Sequence, residues 1–269
     1  MRETGSGAPP LVLLHGLTAT SALNWGPAFE PLGRRFRTIA LDHRGHGRGI
    51  RPPALRGFHL SDCADDVIAL ADVLGLEKVV LVGYSMGGPI AQLTWRRHPD
   101  RVAGLVLCAT SRYFADTSRS GLRLAFASGI AGAATVVRTI PPPVRRRLAT
   151  AGMVWRRRAL GMPQWVLDET AHNDPAAVLE AVRALQRFDS RPWIGEVDVP
   201  TAVVVTTEDR VVPPERQRRM AAAIPGASVF EVAGDHAVCV MNPHRFVPTL
   251  LDACEWVATA GAGWPGVAV

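Results

Sequence analysis

Val79-Val80-Leu81-Val82-Gly83-Tyr84-Ser85-Met86-Gly87-Gly88 is the stretch around which the chain is organised. Its apolar start reads as a strand buried on both faces. A Gly-x-Ser-x-Gly turn follows, and then Ile90, Leu93, Thr94 and Arg97 recur at helical spacing. A serine on so tight a turn needs glycine beside it, because a Cβ at Gly83 or Gly87 would collide with neighbouring backbone. The turn lifts the hydroxyl clear of the sheet and sets Ser85 at the start of a helix, where free N–H groups favour negative charge. Pro89 falls in the first turn, where a missing N–H costs little.

Outward from this stretch, strands and helices alternate. Leu11–Leu14 reads as a buried strand ending at His15-Gly16-Leu17, and Trp25–Leu32 as a short helix. Arg37–Leu41 is the next strand and ends in the glycine-punctuated turn Asp42-His43-Arg44-Gly45-His46-Gly47. No third ligand sits at metal-type spacing from His43 and His46, so the turn reads as structural, with Asp42 accepting from loop N–H groups as in an Asx-turn. Ser61 fits an N-cap, and Asp62, Asp65 and Asp66 suit the positive end of the helix that follows. Gly75 fits just past its end. Val102–Cys108 is a further strand, and the alternation argues for a parallel α/β sheet.

The pattern breaks at Ser111. Residues 111–190 carry helical apolar runs (Leu122–Ile130, Trp165–Leu167, Val178–Leu185), three consecutive prolines and the arginine clusters 145–147 and 156–158, with no convincing strand. They are expected to form a helical insertion in a core made of 1–110 and 191–269. Alternation resumes with a strand at 201–205, a helix at 214–223, a strand at 228–232 and a helix from Pro243 to about Ala258.

Composition narrows the function classes. Nearly half of the 269 residues are apolar, enough for a sizeable core. The net charge of +6 comes without a nucleic-acid motif or stacking aromatics, so nucleic acid is not expected as a partner and the arginines read as solvated. Cys63, Cys108, Cys239 and Cys254 are scattered, which suits buried thiols in a reduced, cytoplasmic compartment. The first ten residues hold no apolar run, so no signal peptide is expected, and Leu124–Val137 is too short to span a bilayer. Stable membrane insertion is therefore not expected; the oligomeric state is left open.

A serine hydroxyl becomes a nucleophile only beside a base oriented by a third group. Asp209 follows the strand at 201–205, and His236 follows the strand at 228–232, so both fall on the same rim as Ser85. The order Ser…Asp…His, together with His15-Gly16, Asp42–Gly47, Gly83–Gly88, Asp209–Pro213 and Gly234–His236, resembles the α/β-hydrolase superfamily in its lid-bearing esterase, lipase and peroxidase-like branch. The similarity runs over residues 9–111 and 200–258. It implies a three-layer fold, a mostly parallel sheet flanked by helices, with 111–190 as a lid and the usual N-terminal strand hairpin shortened or absent, since only about ten residues precede the His-Gly strand. It implies a carboxylic ester hydrolase with Ser85 as nucleophile, His236 as base and then acid, and Asp209 fixing the histidine tautomer. The backbone N–H groups of Leu17 and Met86 would form the oxyanion hole. Neither metal nor other cofactor is implied, and the partner would be a small-molecule ester. Trp25, Tyr84, Tyr113, Phe114 and Trp165 are candidates for the substrate pocket, as are Trp155 and Trp193; core or lid packing is the alternative for each tryptophan and for Tyr113 and Phe114. Glu208 is a rival to Asp209, and Asp235 reads as a turn residue. Lactone hydrolysis, carbon–carbon bond hydrolysis and perhydrolysis on the same triad are alternatives, as is a ligand-binding protein without turnover. Dehalogenase and epoxide hydrolase chemistry are disfavoured, because those relatives carry aspartate at the elbow.

Overall fold

A computed structural model describes residues 1–51, 57–115 and 163–262, together with 136–137, 139–141 and 144. The helix expected at Leu122–Ile130, Trp155 and both arginine clusters lie outside the described residues.

Seven strands form one sheet: β1 (Arg2–Thr4), β2 (Leu11–Leu14), β3 (Thr38–Leu41), β4 (Val79–Tyr84), β5 (Val102–Cys108), β6 (Thr201–Thr206) and β7 (Ser228–Val232). Their spatial order is β1-β3-β2-β4-β5-β6-β7. Every pairing is parallel except that of β1, which runs antiparallel to β3 with Glu3 opposite Ile39. The first edge thus keeps one three-residue strand where a hairpin was expected to be shortened or absent. The sequence concealed it: Arg2-Glu3-Thr4 has no apolar pattern, because an edge strand needs only main-chain bonds on one side.

The helices are α1 (Ser21–Gly33), α2 (Leu60–Val73), α3 (Gly87–Arg97), α4 (Gln164–Thr170), α5 (Pro175–Arg187), α6 (Pro214–Ala221), α7 (Val238–Met241) and α8 (Pro243–Ala262). They bury the sheet on both faces, as the near-continuous apolar strands require. One core cluster holds Val12, Leu81, Leu105 and Val203 with α2, α3 and α6; the other holds Leu13, Val82, Val106 and Val204 with α1 and α8. Alternate residues of each strand enter opposite clusters, as a period of two demands. The strand carrying Ser85, β4, is central, with β2 and β5 on either side.

Local details depart from expectation at three places. Helix α1 begins at Ser21, ahead of Trp25, because the Thr20 hydroxyl accepts from the Leu23 N–H at 3.1 Å and caps it. Helix α2 begins at Leu60 after His59, so Ser61 lies inside it and is not its cap. Asp42 binds backbone N–H groups, but those of Ser21 and Arg48, each at 2.7 Å, and not its own Asx-turn neighbour. Asp62 and Asp66 do more than face the helix dipole: both pair with Arg44, at 2.9 and 2.6 Å, and fasten the Asp42–Gly47 turn to α2. His43 and His46 are buried inside that turn.

Candidate active site

Ser85 stands where β4 ends and α3 begins, with φ of 51°. A residue with a Cβ is strained in this region, so the surroundings must hold it there. They do so from several directions. The Ser85 N–H donates to Cys108 O at 2.9 Å, and its carbonyl accepts from the Thr110 hydroxyl at 2.8 Å. A Cβ at Gly83 would run into the Gly87 carbonyl, and one at Gly87 into the Leu14 carbonyl. The two glycines are therefore required by close backbone approach, as the sequence suggested.

Asp209 and His236 come to the same rim, from the loops after β6 and β7. His236 Nε2 lies 3.0 Å from Ser85 Oγ, and His236 Nδ1 lies 2.7 Å from Asp209 Oδ2. An ionised carboxylate can only accept, so Nδ1 carries the proton and Nε2 is left to accept from the serine hydroxyl. Asp209 is buried, at 3% exposure. Burial pushes its carboxyl up, yet the hydrogen bond and charge of His236, the Val212 N–H and the Thr206 hydroxyl outweigh this and hold it below the usual carboxylate range. Its Oδ1 accepts from the N–H groups of Val211 and Val212 at 2.8 and 2.9 Å, and its Oδ2 from Thr206 Oγ1 at 2.8 Å. The rival Glu208 is exposed, and Asp235 accepts from the Ala237 N–H at 2.9 Å as a turn residue.

Leu17 and Met86 flank the serine from two sides. Met86 is fully buried at the head of α3. Leu17 lines a cavity of about 350 Å3 whose floor holds Ser85 and His236. Among the described residues, neither backbone N–H has a hydrogen-bond partner. The walls of the cavity are mostly apolar and include Leu23, Val166 and Val240.

The pocket candidates divide. Tyr84 lines the cavity, and its hydroxyl donates to the His236 carbonyl at 2.9 Å, so it also props the histidine turn. Trp25 belongs to the core: it is fully buried against the rings of Tyr84 and Phe246 at 6.1 and 6.5 Å. Tyr113 bridges to Asp189 and lies 4.5 and 5.0 Å from the guanidinium carbons of Arg191 and Arg216. Phe114 packs on the core cluster of α2, α3 and α6. Trp165 is 47% exposed, because α4 turns Val166 inward in its place. Trp193 stacks on Trp95 at 6.3 Å.

Gln217 and Asn24, which the sequence reading passed over, brace the site together with His15 of the His15-Gly16 motif. Gln217 is fully buried on α6. Its Nε2 donates to Thr206 Oγ1 at 2.8 Å and Val212 O at 2.7 Å, while its Oε1 accepts from the Thr206 N–H at 3.1 Å. It therefore braces the turn that presents Asp209. His15 Nε2 accepts from the His43 N–H at 3.0 Å, so its Nδ1 carries the proton shared with Gly16 O at 2.8 Å. Asn24 accepts from the Gly16 N–H at 2.7 Å.

Comparisons with known proteins agree with this architecture. The family model described as the alpha/beta hydrolase fold matches residues 9–128. The chain is 31% identical over 256 residues to a protein of Agrobacterium fabrum named as a carbamate hydrolase, RutD, covering 93% of this chain and 94% of that one. It is 30% identical over 258 residues to the pimeloyl-[acyl-carrier protein] methyl ester esterase of Chromobacterium violaceum, covering 94% and 97% of the two chains. Among solved structures, the enol-lactonase of Burkholderia xenovorans LB400 superimposes with a TM-score of 0.73 at 26% identity, over 94% of this chain and 95% of that one. With a parallel sheet, a strained serine at the end of its central strand and full-length similarity to such relatives, the chain belongs to the α/β-hydrolase superfamily.

Proposed function

We propose that this hydrolase cleaves carboxylic ester bonds through a covalent acyl-enzyme on Ser85. One observation carries the reading: His236 links Ser85 Oγ at 3.0 Å to the buried Asp209 carboxylate at 2.7 Å. In this reading Ser85 Oγ attacks the ester carbonyl as its proton passes to His236 Nε2. Asp209 holds the imidazole in the receptive tautomer and stabilises the imidazolium. The N–H groups of Met86 and Leu17 receive the negative charge that develops on the carbonyl oxygen. Collapse breaks the ester C–O bond, and the leaving alcohol takes the proton from Nε2. Water then repeats the cycle on the acyl-enzyme, with His236 as base, and releases the carboxylic acid and free Ser85.

Residues 111–190 are proposed as the lid. In support, Val166 of α4 forms part of the cavity wall, and Glu169 accepts from the Thr20 hydroxyl at 2.8 Å, which ties α4 to the mouth of the site. The apolar walls suit the acyl part of a small neutral ester. A cytoplasmic setting is part of the proposal, supported by four free, buried cysteines. No described helix is long and apolar enough to cross a membrane.

A second reading, lactone hydrolysis, is favoured by the likeness to the enol-lactonase and uses the same steps on a cyclic ester. Short-chain nitrophenyl esters, enol lactones and aryl carbamates, assayed side by side with wild type and Ser85→Ala, decide between them. Ester turnover lost by at least a thousandfold in Ser85→Ala supports the proposal. Retention above a tenth of wild-type activity overturns the acyl-enzyme, and turnover of lactones or carbamates alone shifts the substrate class.

A further inference from the structure

Asn24 sits on α1, far in sequence from every residue of the triad, yet it lines the same cavity at 5% exposure. Its side chain joins the turn at Gly16 to the short helix α7. Oδ1 accepts from the Gly16 N–H at 2.7 Å, and Nδ2 donates to Cys239 Sγ at 3.2 Å. Gly16 precedes Leu17 on one side of Ser85. Cys239 begins two residues after Ala237, in the short helix that follows His236. A peptide group is planar and trans, so its N–H and C=O point in opposite directions. The Gly16 carbonyl is held by His15 Nδ1 at 2.8 Å and by the Ala19 N–H at 3.3 Å, which turns the Leu17 N–H the opposite way. Asn24 secures the preceding peptide of the same turn. Both peptides are thus held by hydrogen bonds, and the turn is packed beside Ser85, where a Cβ added at Gly16 would meet Ser85 Cβ at 3.2 Å.

We infer that Asn24 is a positioning residue for hydrolysis, clamping the turn that offers the Leu17 N–H and tying it to the loop that carries His236. The inference rests on the acyl-enzyme reading above. Asn24 touches no reacting atom in this scheme. It sets the distance between the donor of one loop and the base of the other, and a loose donor stabilises a transition state poorly. The residue has the right chemistry for this work, since an amide both accepts and donates, and Cys239 with its thiol pushed up by burial to about 11 remains a neutral partner.

The test compares Asn24→Ala and Asn24→Leu with wild type in steady-state ester hydrolysis, and in inhibition by a trifluoromethyl ketone and by the product acid. The ketone forms a tetrahedral adduct whose oxyanion needs the Leu17 donor; the product does not. Asn24→Leu keeps the branched side-chain shape and covers the case in which Asn24→Ala does not fold. The expected result is a ten- to hundredfold fall in kcat, with KM changed less than threefold. Ketone affinity should fall in step with kcat/KM, and product affinity should hold within threefold. Wild-type kcat in a folded variant overturns the inference, and so does an equal loss of ketone and product affinity, which signals collapse of the pocket. The two readings fail separately: an active Ser85→Ala removes the acyl-enzyme, whereas an inactive Ser85→Ala beside an unimpaired Asn24→Leu removes only the role of Asn24.

Discussion

At the scale of single residues, the site is built from groups held where they would not rest alone. Ser85 keeps a φ of 51° because Gly83 and Gly87 let three backbone segments close around it. Asp209 stays ionised although buried, because four donors at 2.7–2.9 Å, with Gln217 Nε2 a fifth at 3.5 Å, converge on its two oxygens. Asp209→Asn preserves size but removes the charge and lets the histidine take the wrong tautomer. The expected loss in kcat is on the order of ten-thousandfold with an unchanged fold; stopped-flow acylation and circular dichroism check it, and a loss below tenfold would show that Asp209 is not the orienting group. Ser85, Asp209 and His236 were legible in the sequence because each follows the carboxyl end of a recognisable strand. Gln217 and Asn24 were not. Gln217 lies among exposed charged residues of α6, and Asn24 lies in an apolar stretch of α1 that holds no catalytic pattern; only the packed structure shows that these amides face inward to satisfy backbone groups. Of the aromatic pocket candidates, Trp25 looked as suitable as Tyr84; a large ring fits a core as well as a cavity, and composition alone does not tell the two apart.

At the scale of elements, end signals decided more than periodicity. Helix α1 holds Pro27 and Pro31, and its start at Ser21 depends on the Thr20 cap. The same hydroxyl donates to Glu169, so one side chain serves α1 and α4 together. Thr20→Ala should cost ~1 kcal/mol through the lost cap, which in a protein of this size corresponds to a fall in Tm of about 2–4 °C. Differential scanning calorimetry reads this directly, and an unchanged Tm would show that the cap is dispensable. The buried strands β2 to β6 were readable as apolar runs between glycine and proline punctuation. The short β1 and the four-residue α7 were not, because neither is long enough to carry a period.

At the scale of the whole molecule, the alternation of strand and helix announced the parallel sheet; among the described residues, α4 and α5 both fall between β5 and β6. The gathering of Ser85, Asp209 and His236 on a rim beyond the strand ends follows from that topology. Behind the rim, His15, His43 and His46 are packed together, with ring centroids of His43 and His46 at 4.4 and 5.5 Å from His15. Burial pushes all three below the usual histidine range, His46 to about 3. Their pKa values are lower folded than unfolded, so on acidification the unfolded chain takes up protons that the folded chain refuses. The stability they confer is complete above the unfolded value of about 6.5 and is lost as pH falls from there toward 3. Urea midpoints measured from pH 8 to pH 4 should therefore decline below about pH 6.5, and His46→Gln should flatten the decline; a midpoint independent of pH across that range would contradict the account of the cluster.

The central claim is that the Ser85 hydroxyl is activated by His236. Its most direct measurement is intact-protein and peptide mass spectrometry after brief exposure to a fluorophosphonate, on wild type and on His236→Ala. The account predicts one adduct per wild-type chain, on the peptide containing Ser85, formed at least a hundredfold more slowly in the variant. Equal labelling of both proteins, or an adduct on another residue while ester turnover persists, would contradict it.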